Sequence, residues 1–202
     1  MDRPPARPSL TGILAVTLAA ALSLAGCTAE VPELGQPADS GSSLTDDTIV
    51  EIAPADRAEP ISFAGSLDTG GEADSGQWLG NVVVVNFWYA ACPPCRVEAP
   101  DLEAVHQQFT AAGVVFIGVN VRDSAPTASS FATEFGVTYP SILDAGGGAV
   151  QFAFSGKIAP NAVPTTLVLD RDGRVAARVI GRLPSQTTLA SLLETVLAEG
   201  ER

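Results

Sequence analysis

From about residue 59 onward the chain alternates short β-branched runs with segments whose apolar positions recur at helical spacing, the pattern of a sheet covered by helices. Ile61 to Leu67 reads as a short edge strand, with a turn behind it at Asp68, Thr69, Gly70 and Gly71. Val82 to Phe87 is a nearly unbroken apolar run, which predicts a central strand buried on both faces. Leu102, Val105, Phe109 and Ala112 lie on one stripe of a helix that Gly113 ends. Val114 to Asn120 is a second buried strand. Ser124 and Pro126 open a helix that carries Phe131 and Phe135 and stops at Gly136. Tyr139 to Leu143 reads as a strand, whereas Val150 to Phe154, beyond the glycine-rich break, is too short to assign. Thr165 to Leu169 and Arg174 to Ile180 form a hairpin around Asp170, Arg171, Asp172 and Gly173. Ser185 caps a last helix whose Leu189, Leu192, Leu193 and Val196 face inward.

The chain ahead of this region has a different character. From Thr28 to about Arg57 it is rich in Ala, Pro, Ser, Gly and Asp and keeps no period, so it reads as a flexible tether, with the folded domain beginning near Glu59. Further upstream, Arg3 and Arg7 precede an uncharged apolar run from Leu10 to Leu24. That run is shorter than the roughly 20 residues a spanning helix needs. It closes on Leu24, Ala25, Gly26 and Cys27, which resembles the bacterial lipobox and implies acylation of the Cys27 thiol. The expected division is a signal peptide over 1–26, a lipidated tether over 27–58 and one domain over 59–202. An uncleaved anchor or an ordinary secretory signal is the alternative.

Composition narrows the function classes. Eleven basic residues against 23 acidic ones give a formal charge of −12, which argues against a nucleic-acid partner. Hydrophobic residues make up 46% of the chain, enough for a buried core. The three cysteines, Cys27, Cys92 and Cys95, are too few for a disulfide framework and one short of a four-thiolate zinc site. No metal and no cofactor is expected.

The decisive segment runs from Asn86 through Phe87, Trp88 and Tyr89 to Cys92, Pro93, Pro94, Cys95 and Arg96, between a buried strand and an amphipathic helix. Two intervening residues place Cys95 one helical turn after Cys92, within disulfide reach. Cys92 stands where the helix dipole and unpaired N–H groups favour a thiolate, which lowers its pKa and arms it for attack on a disulfide. Pro93 and Pro94 suit a first helical turn and stiffen it. The competing readings are a static disulfide or half of a metal site. A crosslink closing so short a loop stabilises little, and the chain offers no second Cys pair and only one histidine, His106, which lies among polar residues and reads as a surface side chain.

At this point the sequence resembles the thioredoxin-fold proteins, and among them the TlpA/ResA-like group of membrane-tethered extracytoplasmic oxidoreductases. The resemblance covers roughly Glu59 to the C-terminus. It rests on Asn86, Phe87 and Trp88 before the dithiol, Glu98 after it, the inserted strand and helix between Val114 and Leu143, and Val163, Pro164, Thr165 and Thr166. It implies an α/β fold with a thioredoxin-like mixed central sheet, an N-terminal strand or hairpin, and a cis bond at Pro164 beside the cysteines. It further implies that Cys92, Cys95 and Glu98 are catalytic, with Glu98 assisting deprotonation of Cys95, and that Trp88, Pro93, Pro94, Val163 and Pro164 face substrate. Two departures stand out. Asn86 occupies the place of a buried acid in cytoplasmic thioredoxins, and Ala91 replaces the Trp that many relatives carry before the first Cys.

The activity expected is thiol-disulfide exchange with protein disulfide substrates. The resemblance implies reductase work on the outer face of a bacterial cell membrane, with electrons from a CcdA/DsbD-type membrane protein passing to apocytochrome c. Other readings are an oxidase of secreted proteins, a peroxidase or binding module on the same fold, and a copper(I) chaperone, since paired thiolates bind that ion.

Overall fold

In the computed structural model, which describes residues 49–158 and 162–200, the valine run becomes strand β4 (Val83–Trp88), and its register shows why it is apolar throughout. Val84 points into one core, with Leu102, Val105, Phe116, Val168 and Leu189. Val83, Val85 and Phe87 point into the other, with Ile117, Phe154 and Leu167. A strand with both faces covered has no room for the polar alternation of a half-exposed one.

β4 lies inside a six-stranded mixed sheet. In chain order the elements are β1 (Ile49–Glu51), β2 (Ala64–Ser66), β3 (Glu72–Asp74), β4, α1 (Pro93–Phe109), β5 (Val115–Asn120), α2 (Ala125–Phe135), β6 (Ser141–Leu143), α3 (Ala149–Ala153), β7 (Thr165–Leu169), β8 (Val175–Ile180) and α4 (Gln186–Glu199). The strand order is β1-β8-β7-β4-β5-β6, with β4, β5 and β6 parallel and β7, β8 and β1 each antiparallel to its inner neighbour. This is the thioredoxin-like α/β arrangement read from the sequence. Helices α1 and α4 bury their stripes against one face, while the β2–β3 hairpin and α3 close the other. Helix α1 tolerates Pro100 in its interior, although that residue lacks the N–H a helix uses.

Two expectations need correction. The edge of the main sheet is β1, which falls in the stretch read as tether, so the folded region begins at least at Ile49 and not near Glu59. Three residues are too few to show a period, and β1 is ordered by pairing with β8, which no local pattern reports. The Arg57 side chain in the same stretch is covered and joined to Asp170 and Glu199, fastening it to the end of the sheet. The second correction concerns Ile61 to Leu67. Only Ala64–Ser66 is strand, and it belongs to a separate two-stranded hairpin with β3, turning where Asp68 to Gly71 had been expected to turn. The unassigned Val150 to Phe154 stretch forms the short helix α3, opened by Asp144, whose carboxylate accepts from the N–H groups of Val150 and Gln151.

Candidate active site

The dithiol sits where β4 hands over to α1. Cys92 is the N-cap of α1, and Pro93 and Pro94 fill the first turn, where no backbone donor is missed. Cys92 and Cys95 are joined as a disulfide, with Cα atoms 5.3 Å apart. The Cys92 sulfur also accepts the N–H of Cys95 at 3.2 Å, so the first sulfur already faces a donor that favours negative charge once the bond is reduced. Both cysteines are almost fully covered, at 1% and 2% exposure.

Beneath them lies Glu98, one helical turn beyond Cys95 and 1% exposed. Its Oε1 accepts from Asn86 Nδ2 at 3.0 Å, and its Oε2 accepts from the Leu183 N–H at 2.8 Å. Burial pushes its pKa up to about 7, against the opposing pull of those two donors and of Arg182. The Asn86 amide also donates to Thr166 Oγ1 at 3.0 Å. Asn86, which stands in place of the buried acid of cytoplasmic thioredoxins, therefore has a carboxyl beside it from α1. Tyr139, whose hydroxyl pKa is raised by burial and by the charges of Glu98 and Glu103, lines a small cavity behind the dithiol with Asn86, Cys95, Leu102 and Phe131.

Around this centre the expected residues divide. Val163 packs against the cluster that holds Trp88, Cys92 and Cys95. The Val163–Pro164 bond is cis, and the Pro164 carbonyl accepts from the Gly181 N–H at 2.9 Å. Pro93 is exposed and Pro94 half-buried. Trp88, expected to face substrate, is instead 5% exposed. Its indole N–H donates to Ser141 Oγ at 3.1 Å, and its ring packs on Phe131 with centroids 4.3 Å apart. It supports the site from within because β4 still has both faces covered at that position. His106 lies outside the site, stacked on Phe116 and Tyr139 and 3.5 Å from Glu103. Cys27 lies outside the described residues.

A second group of residues, outside those expected from the sequence, meets the turn before Cys92. Asp123 accepts from the Ala90 N–H, Asn120 orients that carboxylate, and Arg122 lies over the Tyr89 ring. The spacing of Asn120 and Asp123 at the end of a predicted strand was the available hint.

A family model described as Redoxin matches residues 40–196. The chain belongs to the Redoxin family. This Redoxin-family chain is similar to the thiol:disulfide interchange protein HelX of Rhodobacter capsulatus, with 31% identity over 147 residues, 72% of this chain and 75% of that protein. It is also similar to the thiol-disulfide oxidoreductase ResA of Halalkalibacterium halodurans, at 30% identity over 107 residues, 53% of this chain and 58% of that protein. Among solved structures, a DsbF homologue from Corynebacterium diphtheriae superposes with a TM-score of 0.67 at 30% identity, covering 76% of this chain and 96% of that one. Family, fold and dithiol agree on the class of enzyme: this Redoxin is a thiol-disulfide oxidoreductase.

Proposed function

We propose that the protein is an extracytoplasmic, membrane-tethered thiol-disulfide reductase in which Cys92 is the nucleophile, Cys95 the resolving thiol and Glu98 the proton acceptor for Cys95. In the reduced enzyme the Cys92 thiolate attacks a disulfide of a protein substrate, releasing one substrate sulfur as a thiol and forming a mixed disulfide. Cys95 passes its proton to Glu98 and attacks the Cys92 sulfur, releasing the second substrate thiol. The enzyme is left with the Cys92–Cys95 disulfide, and two electrons have moved to the substrate. A carboxyl titrating near neutrality suits the proton step, since it accepts from one thiol and returns the proton readily.

The observation that carries this reading is Cys92 capping α1, with its disulfide partner Cys95 and the buried Glu98 one turn apart on that helix. Val163, which packs against the cluster holding both cysteines, offers backbone to an extended substrate segment, whereas Pro164 is buried with its carbonyl taken by the Gly181 N–H. The tether reading, with Cys27 acylated, is supported by the lipobox-like Leu24, Ala25, Gly26 and Cys27 at the end of an uncharged apolar run. Among the described residues no helix is long and apolar enough to cross a membrane. Reductase chemistry at that surface fits a CcdA/DsbD-type electron donor and apocytochrome c as substrate.

The deciding experiment is the reduction potential of the pair, from equilibration of the protein in defined dithiol buffers and mass counting of alkylated thiols. A reductase is expected near about −270 mV, whereas a value near about −120 mV would make the enzyme an oxidase.

A further inference from the structure

The three residues that join β4 to Cys92 are held by a loop from a different part of the chain. Asn120, the last residue of β5, is wholly buried. Its Oδ1 accepts from the backbone N–H groups of Arg122, at 3.1 Å, and Asp123, at 2.7 Å, which folds the loop back on itself. Its Nδ2 donates to Asp123 Oδ2 at 2.8 Å and so aims that carboxylate. The same Oδ2 accepts from the Ala90 N–H at 2.6 Å. Ala90 lies past the end of β4, where no ladder partner remains for its N–H, and the carboxylate supplies a charge-assisted bond in its place. Next to it the Arg122 guanidinium lies 4.1 Å above the Tyr89 ring. The Tyr89 carbonyl in turn accepts from the Cys92 N–H at 3.1 Å, so the held turn ends on the nucleophile itself.

Resting on the reading of Cys92 as the nucleophile, we infer that Asp123 is a positioning residue of thiol-disulfide exchange: it clamps the Tyr89–Ala91 turn through the Ala90 N–H and thereby sets the attitude of Cys92. Sequence distance hides this link, since 33 residues separate donor from acceptor. The clamp also puts a negative charge two residues from the nucleophile. The other charges around the turn are Arg122 on the same loop, Arg96 on α1, whose guanidinium pairs with Glu134 of α2, and Glu98 beneath the dithiol. Removing the Asp123 charge while keeping an acceptor for Ala90 therefore separates the geometric role from the electrostatic one.

The test compares Asp123→Ala and Asp123→Asn in the reduced full-length protein. Attack on oxidised glutathione is timed, iodoacetamide alkylation is followed from about pH 4 to about pH 9, and the modified cysteine is located by peptide mass. Asp123→Ala is expected to slow the attack by about tenfold, since a small displacement of a reacting group is costly. Asp123→Asn, which still offers an oxygen to the Ala90 N–H, is expected to recover the rate to within about twofold while its alkylation profile moves to lower pH. A wild-type rate and profile in Asp123→Ala would overturn the inference. So would an Asn variant no faster than the Ala variant, a result that stands even where the Ala variant melts early, because Asn is nearly isosteric. Modification of Cys95 instead of Cys92 in the unsubstituted protein would overturn the nucleophile assignment itself, which is a separate result.

Discussion

Asn86 and Glu98 meet at 3.0 Å beneath the disulfide, one from the central strand and one from the helix that carries both cysteines. Both are buried, and the amide satisfies one carboxyl oxygen while the Leu183 N–H satisfies the other. Two donors favour the carboxylate, yet burial outweighs them and leaves the group titrating at about 7.

A pH dependence of stability follows. The ordinary value is 4.5 and the folded value about 7, so across that window the folded protein keeps a proton that the unfolded chain releases. The contribution is fully present below about pH 4.5, is lost as pH rises to about 7, and is flat beyond; its size is about 3 kcal/mol at most. Glu98→Gln should remove that slope, as measured by urea unfolding at a series of pH values. Gln cannot take up the Cys95 proton, so this variant should also let the mixed disulfide on Cys92 persist at least about tenfold longer, visible by intact mass. An unchanged slope would show that Glu98 does not titrate there.

Much of this site was legible because its residues are adjacent in sequence. The spacing of Cys92 and Cys95, the strand before them and the amphipathic stripe after them are local patterns, and Glu98 follows from helical periodicity. The Asn86 to Thr166 bond, the Leu183 N–H on Glu98 and the Asp123 clamp were not legible, since each joins elements that only the sheet order brings together. The resemblance sets Trp88 on the substrate side, whereas packing around the site is the simpler reading of an aromatic there. Its burial depends on Phe131 and Ser141, which arrive from α2 and β6. β1 was missed for a similar reason, its order residing in the partner strand.

The two cysteines should behave differently when each is replaced. Cys95→Ser leaves the nucleophile without its resolving partner, so incubation with oxidised glutathione should leave a stable mixed disulfide on Cys92. Cys92→Ser should show no such adduct and should lose nearly all exchange activity, because Cys95 lacks the N-cap position and the N–H donor that favour a thiolate at Cys92. Mass spectrometry of the two proteins separates these outcomes, and an adduct on Cys95 alone would reverse the roles.

Trp88 should matter for stability more than for exchange. Trp88→Phe keeps much of the packing on Phe131 but loses the bond to Ser141, leaving a buried hydroxyl without its donor. A loss of about 1–2 kcal/mol in urea unfolding is expected, with the exchange rate within about twofold of the parent. A rate loss of more than about tenfold in a folded Trp88→Phe protein would restore Trp88 to the substrate face.

The far end of the sheet offers the complementary experiment. Arg57 Nη1 reaches Asp170 at 3.0 Å, and its Nη1 and Nη2 each reach a Glu199 oxygen at 2.6 Å, with 3%, 7% and 17% of the three side chains exposed. Burial works against the charge on Asp170, but the N–H of Arg174 and the two guanidinium groups hold its carboxyl below its ordinary value. Arg57→Ala would leave Asp170 with Arg174 and the Asp172 N–H, and Glu199 partly reaching water, so the cost should fall at the low end for a broken buried pair, about 3 kcal/mol by urea unfolding. The network joins the chain before Glu59 to the β7–β8 turn and the end of α4, at the opposite end of the sheet from Cys92. Exchange by the folded fraction should therefore be unchanged. A negligible stability loss would mean that the Arg57 network adds little to the fold and that β1 is held by its pairing with β8 instead.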